Sequence, residues 1–234
     1  MSFKGQTVMI TGAAGNLGQA VAARFAAEGA NLVLLDLKQA ALDKVPAAGA
    51  GDVLRQVVDL SDATSISAAI GAVIARFGRI DALCNLAGGF HMGEKVHEIP
   101  ADKWDFMMEL NAGSVLRMAQ AVVPHMLKAG GGRIVNIGAN SALSGKAEMG
   151  AYVASKSAVI RLTETMAAEL RSHNINVNCV LPSIIDTPQN RAAMPKADPA
   201  KWVAPEALAD VLLFLCTPAA RAIHGAAIPV VGLS

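Results

Sequence analysis

The chain has 234 residues, of which 20 are Lys or Arg and 19 are Asp or Glu, for a formal net charge of +1. That balance gives no electrostatic reason to expect nucleic acid or an anionic membrane as partner, and a hydrophobic share of 53% excludes a disordered chain. No uncharged apolar stretch is long enough to span a bilayer. A strand pattern begins within a few residues of the start, which leaves no space for a signal peptide and makes the cytoplasm the expected compartment. Cys84, Cys179 and Cys216 lie far apart, two of them inside apolar runs, and read as buried small hydrophobes in a reducing compartment. There is no CxxC, and the five histidines show no metal-ligand spacing, so no metal is expected.

In chain order, the first strand candidate is Thr7–Ile10. It runs directly into Thr11-Gly12-Ala13-Ala14-Gly15-Asn16-Leu17-Gly18 and then into a helical pattern through Arg24-Phe25. A strand, a glycine-rich turn and a helix let the backbone approach a pyrophosphate, with the free N–H groups of the first helical turn aimed at it. An ordinary tight turn is the alternative. The second candidate, Asn31–Asp36, closes on Asp36, at the distance where an acid takes the ribose hydroxyls. Its carboxylate would repel a 2′-phosphate, which favours NAD(H) over NADP(H); helix N-capping is its alternative role. The third, Arg55–Asp59, brings Asp59 and Leu60 to the same sheet edge, for adenine contact or, with Ser61, for capping the next helix.

The remaining candidates are Ala82–Ala87, Arg133–Gly138, Asn176–Leu181 and Ala227–Val231. Helical segments of ~10–25 residues separate the strands, as βαβ crossovers require. Several strands are apolar on both faces, Leu32-Val33-Leu34-Leu35 among them. The expected fold is one doubly wound α/β domain over 1–234, Rossmann-type, with a parallel sheet covered on both sides. The least regular stretch, 186–204, carries Pro188, Pro195 and Pro199 and reads as a long loop that orders over substrate through Asn190, Arg191, Met194 and Trp202.

The chain has a single tyrosine, Tyr152, in Gly150-Ala151-Tyr152-Val153-Ala154-Ser155-Lys156. Residues four apart share a helix face, so phenol and ammonium point the same way. A lysine cation beside a phenol lowers its pKa and suits it to general acid–base work near pH 7–8. A core tyrosine beside a surface lysine is the bland alternative.

In combination, Thr11-Gly12 with Gly18, Asp59, Asn85-Leu86-Ala87-Gly88, Asn111, Tyr152 with Lys156, and Pro182 to Thr187 resemble the short-chain dehydrogenase/reductase family over essentially the whole chain. The resemblance implies that Tyr152 gives or takes the substrate proton. It implies that Lys156 holds the nicotinamide ribose and that Asn111 anchors a water in a proton relay. Asn85, Ala87 and Gly88 would line the cofactor cleft, and Pro182, Ile185 and Thr187 would meet the nicotinamide end. Three positions depart from the pattern: Asn16 stands where glycine is usual, Ser183 follows Pro182 where glycine is usual, and Ala139 occupies the place of the family's catalytic serine, thirteen positions before Tyr152. Ser141 is the nearby hydroxyl that a shifted loop would supply.

Within that family the chain resembles dihydropteridine reductases at Ala87-Gly88-Gly89-Phe90, Gly138 to Leu143, Met149 to Tyr152, and Asp186-Thr187-Pro188-Gln189-Asn190-Arg191 with Met194-Pro195, Ala197-Asp198 and Trp202. This implies a conjugated imine-like substrate with less need of a serine hydroxyl; the helix around Asn111 looks more like general carbonyl reductases. The expected function is an NAD(H)-dependent oxidoreductase of a small carbonyl, alcohol or dihydropterin-type compound. A catalytically weak dinucleotide sensor lacking the serine, and a purely structural interaction module, are the alternatives from other classes. The helix after Tyr152 is apolar nearly all round, which with the resemblance points to a homodimer or homotetramer.

Overall fold

Successive strand residues point to opposite faces, so a strand apolar throughout needs cover on both sides. The computed structural model, which describes residues 2–234, shows that cover. Seven strands, β1 (Thr7–Thr11), β2 (Asn31–Asp36), β3 (Val53–Val57), β4 (Ala82–Asn85), β5 (Gly132–Ile137), β6 (Ile175–Pro182) and β7 (Ala227–Val230), form one sheet in the order β3-β2-β1-β4-β5-β6-β7. All neighbours are parallel. Helices α1 (Asn16–Ala27) and α8 (Pro205–Leu215) cover one face: Val21, Phe25, Leu208 and Leu212 pack on Val8, Ile10, Leu32 and Leu34. Helices α3 (Ala63–Phe77), α5 (Ser114–Ala129) and α6 (Gly150–Leu170) cover the other, where Ile66, Val73, Met118 and Val122 meet Met9, Val33 and Leu35. Each large apolar side chain so buried contributes about 1.5–3 kcal/mol.

The strand order reverses between β1 and β4, and the connections leaving these two strands diverge to opposite faces. Their divergence opens a crevice at the carboxyl ends of the strands, the place where doubly wound sheets bind ligands. The Thr11 hydroxyl at the end of β1 accepts hydrogen bonds from the Leu86 and Ala87 N–H groups, at 3.0 and 3.2 Å, and ties the two sides of the crevice together.

Several expectations are corrected. The third strand runs Val53–Val57 rather than Arg55–Asp59, because its pairing with β2 ends at Asp36↔Val57 and leaves Asp59 beyond the strand. The crossover from β2 to β3 holds only the one-turn helix α2 (Gln39–Leu42); Pro46 cannot continue a helix, and Gly49 turns with φ 90°. The stretch 186–204 is not structureless. It contains α7 (Pro188–Ala193) and a 3₁₀ turn Pro199–Lys201, and it is pinned by a bridge between Ile185 and Val203. Trp202, expected to face substrate, is 8% exposed and belongs to the core.

Candidate active site

The turn after β1 starts with Gly12 at φ 64°. A Cβ there would lie 2.9 Å from the Ala87 backbone nitrogen, so only glycine lets the turn approach the β4 side this closely. Gly15 is the N-cap of α1 and brings no side chain to its N–H groups; the Gln19 N–H bonds back to the Gly15 carbonyl at 2.9 Å. The uncapped backbone donors and the small turn form a cradle that fits a dinucleotide's pyrophosphate. Asn16, at the first position of α1, sends its amide out to Gln189 Oε1 at 2.8 Å, so it joins the turn to α7. Leu17 packs against the core, and Gly18 is buried within the helix.

Beyond the cradle lies a cleft of about 650 Å³, lined among others by Gly12, Gly15, Asp36, Asp59, Leu60, Ala87 and Gly88. Asp36 does not cap α2. Its Oδ2 accepts the Ala14 N–H at 2.9 Å and its Oδ1 the Leu37 N–H at 2.8 Å, which fixes the carboxylate at the cleft wall. Nor do Asp59 or Ser61 cap α3; Asp62 does, accepting from the Thr64 N–H at 2.8 Å. Asp59 instead accepts from the Ser61 hydroxyl and N–H, and these bonds hold its carboxyl below the usual carboxylate range. Phe106, Glu109, Leu110 and Ser114 complete the lining; the sequence reading missed them because they lie on the crossover after β4, without a motif of their own.

At the chemical end, α4 (Ala101–Met107) passes into α5 through a π-helical turn, Met108–Gly113. The turn buries Asn111 and aims its amide out of the helix. Asn111 Oδ1 accepts the Gly89 N–H at 2.9 Å, and its Nδ2 donates to Ser155 Oγ at 2.9 Å and to the Gly89 carbonyl at 3.2 Å. Ser155 Oγ in turn donates to the Tyr152 carbonyl at 2.8 Å. Ser155 is fully buried and joins Asn111 to the tyrosine-bearing turn of α6; its position three residues after Tyr152, on the same helix face, was the available signal. Lys156 is buried, and its Nζ donates to the Ile137 carbonyl at 2.8 Å. A Cβ at Gly88 would lie 2.8 Å from Asn111 Oδ1 and 3.1 Å from Lys156 Nζ, so the bare backbone at Gly88 is where these two side chains converge.

The expected lowering of the phenol pKa is not seen. Burial pushes Tyr152 up to about 12 and Lys156 down to about 8. Cys179, beside Lys156, is pushed up to about 11 by its own burial and supplies no counter-charge near neutral pH. The Phe90 ring meets the Tyr152 ring edge-on, with centroids 4.9 Å apart.

The other expected residues sit at the margin. Asn85 turns its amide to Asn136 Oδ1 at 2.8 Å, and Asn136 donates to Thr163 at 2.9 Å, a buried ladder from the sheet into α6 rather than a cleft wall. Pro182 ends β6, the Ile185 carbonyl accepts from Asn190 at 2.8 Å, and Thr187 caps α7. Ala139 is 3% exposed, and Ser141 lies two residues on in a 3₁₀ turn, Asn140–Leu143.

A family model described as short chain dehydrogenase matches residues 6–198. An NAD-dependent glycerol dehydrogenase from Listeria innocua is 33% identical, with 96% of this chain and 95% of that protein covered. A meso-2,3-butanediol dehydrogenase from Serratia marcescens is 35% identical, with 99% and 95% covered. The solved structure of an NAD⁺-bound xylitol dehydrogenase superposes with a TM-score of 0.91 at 28% identity, over 99% of this chain and 100% of that one. The glycine-rich cradle, the crevice at the reversal of strand order, the Asn111–Ser155–Tyr152–Lys156 cluster and these likenesses agree: the chain belongs to the short-chain dehydrogenase/reductase family of oxidoreductases.

Proposed function

We propose that the protein is an NAD(H)-dependent oxidoreductase acting on a small carbonyl or alcohol, or on a conjugated imine of the dihydropterin type, with Tyr152 as its general acid and base. The observation that carries this reading is the convergence of Asn111 and Lys156 on the bare backbone of Gly88, one helical turn from Tyr152. A bound nicotinamide would supply or accept the hydride. Gly12, Gly15 and the first turn of α1 would hold its pyrophosphate, and Asp36 would take the adenosine ribose hydroxyls and repel a 2′-phosphate. Tyr152, neutral at pH 7–8, donates its phenolic proton to the substrate atom that gains the electron pair. Lys156 places a cation next to the cleft, where it favours the phenolate left behind. Asn111 and Ser155 hold the turn that carries the phenol, and the Phe90 ring limits its swing.

Ala139 in place of the usual serine, together with the Asp186-to-Trp202 run, favours the dihydropterin-type substrate within this reading. The names of the matched relatives favour the polyol and ketone side, and give no support to a cofactor sensor. The test is NADH and NADPH oxidation against a panel of ketones, aldehydes and quinonoid dihydropterin. NADH is expected to bind more tightly than NADPH, and Asp36→Ala to narrow the gap. Tyr152→Phe is expected to keep NADH binding and to lose ~10²–10⁴-fold in turnover. Equal affinity for the two cofactors removes the role of Asp36, and near-normal turnover in Tyr152→Phe removes that of the phenol.

A further inference from the structure

Leu60 beyond β3 and Glu109 in the π-turn, two segments far apart in the chain, both line the cleft at the end where the NAD(H) reading puts the adenosine. One side chain joins them. Arg117 Nε donates to the Leu60 carbonyl at 2.6 Å, Nη1 to Glu109 Oε2 at 2.7 Å, and Nη2 to the Glu109 carbonyl at 3.2 Å. Arg117 does not itself line the cleft, and these donors point into the wall rather than toward a ligand. The Arg117 side chain is 19% exposed and its bond to the Leu60 carbonyl is partly buried, whereas the Glu109 carboxylate is 61% exposed, so the bond to Leu60 rather than the solvated ion pair carries the tie. Only a planar fork answers all three acceptors at once; a lysine ammonium on a flexible stem does not.

The π-turn explains how the contact arises. It inserts one extra residue into the helix, so positions eight apart come to share a face, as positions about seven apart do in a regular helix. Glu109 and Arg117 are such a pair. Gly113, between them, keeps the space open: a Cβ there would lie 2.9 Å from Glu109 Oε2 and 3.0 Å from Arg117 Nη2. The Arg117 charge also helps hold Asp59 ionised, behind the larger effect of Ser61.

We infer that Arg117 is a positioning residue for the adenosine half of the cofactor: it locks the Leu60 and Glu109 segments into one wall without touching the ligand. The inference rests on the NAD(H) reading above. It requires that ligands bearing adenosine depend on Arg117 and that ligands lacking it do not, a split that a general loss of structure would not produce. The probes are NADH, AMP and reduced nicotinamide mononucleotide, NMNH, which has no adenosine. Binding of the first two is measured by titration, and NMNH-driven turnover with the substrate that best supports NADH oxidation. Arg117→Met keeps the apolar stem and removes the fork. The dissociation constants of NADH and AMP are expected to rise together, by about tenfold as the loss of a charge-assisted hydrogen bond implies, while kcat/KM for NMNH stays within about twofold. Gly113→Ala is the second variant. It favours the helix and displaces the Glu109 and Arg117 tips without deleting either, so AMP binding is expected to weaken in the same direction, and this variant decides the matter if Arg117→Met does not fold. AMP affinity unchanged in a folded variant overturns the role given to Arg117, as does NMNH turnover that falls in step with NADH turnover. A wild-type protein that binds neither NADH nor AMP overturns the NAD(H) reading together with this one.

Discussion

Lys156 places an ammonium where the Ile137 carbonyl is its hydrogen-bond partner, and burial pulls its pKa from 10.5 down to about 8. Between those values the unfolded chain holds a proton that the folded protein does not, so stability rises with pH across that window. The destabilisation is fully present below about pH 8 and fades toward pH 10.5. A displacement of this size corresponds to roughly 3 kcal/mol, and removing the ammonium leaves the Ile137 carbonyl unpaired, which costs about 1–3 kcal/mol. The net gain expected for Lys156→Met at pH 7 is on the order of 1 kcal/mol, a rise in Tm of about 2–4 °C, together with loss of NADH binding. Its advantage over wild type is expected to shrink as pH rises to 9.5, which differential scanning calorimetry at both pH values checks; a lower Tm at pH 7 contradicts the argument. Ala139 makes a second prediction at this scale. A ketone develops oxyanion charge as hydride arrives, and one donor to such charge is typically worth ~10²–10³-fold, whereas a conjugated imine places its charge elsewhere. Ala139→Ser is therefore expected to raise kcat/KM for ketones more than for dihydropterin, and Ser141→Ala to leave dihydropterin turnover nearly intact. If Ser141→Ala abolishes turnover, Ser141 is the displaced catalytic serine and the carbonyl substrate is favoured.

At the level of the elements, β1 carries a local conflict. Thr7 is 1% exposed, and its hydroxyl has no hydrogen-bond partner among the described residues. Valine has the same branched shape, suits a strand, and removes the buried hydroxyl, so Thr7→Val is expected to stabilise the protein by about 1–2 kcal/mol in urea unfolding. A loss of stability would point to a water partner for that hydroxyl. β1 and β2 were legible because apolar runs end in polar or glycine residues just where pairing ends; β3 was placed two residues late because Val57-Val58 continues the apolar run past its partner strand. The segment from Asp186 to Ala204 holds more regular structure than its composition suggests, for a specific reason. Pro188 and Pro199 each begin a helical turn, behind the caps Thr187 and Asp198. Tyr152 and Lys156 were legible from spacing on one helix. Glu109 and Arg117 were not, because their roles come from contacts between segments as distant as the 57 residues that separate Leu60 from Arg117.

For the whole molecule, the crevice, the cradle and the Asn111–Ser155–Tyr152–Lys156 cluster all lie at the carboxyl ends of the strands, while the two apolar layers on either side of the sheet supply the stability. Three buried cysteines, Cys84, Cys179 and Cys216, belong to those layers as free thiols. The same sheet has a consequence for how the protein comes to be folded at all. None of its strand pairs is a hairpin; each waits for a crossover, and the central pair joins residues 8–11 to residues 82–85. Such topology is slow, since loop-closure entropy must be overcome before any ladder forms. Refolding from urea is expected to take milliseconds to seconds or longer, with a rollover at low denaturant from a collapsed intermediate; a single microsecond phase in stopped-flow or temperature-jump fluorescence contradicts this. During synthesis, β1, β2 and β3 emerge first, and the far edge of β1 stays open until β4 follows. In that interval the nascent chain presents an unpaired apolar strand edge, the form most open to capture by a chaperone or by another copy of itself.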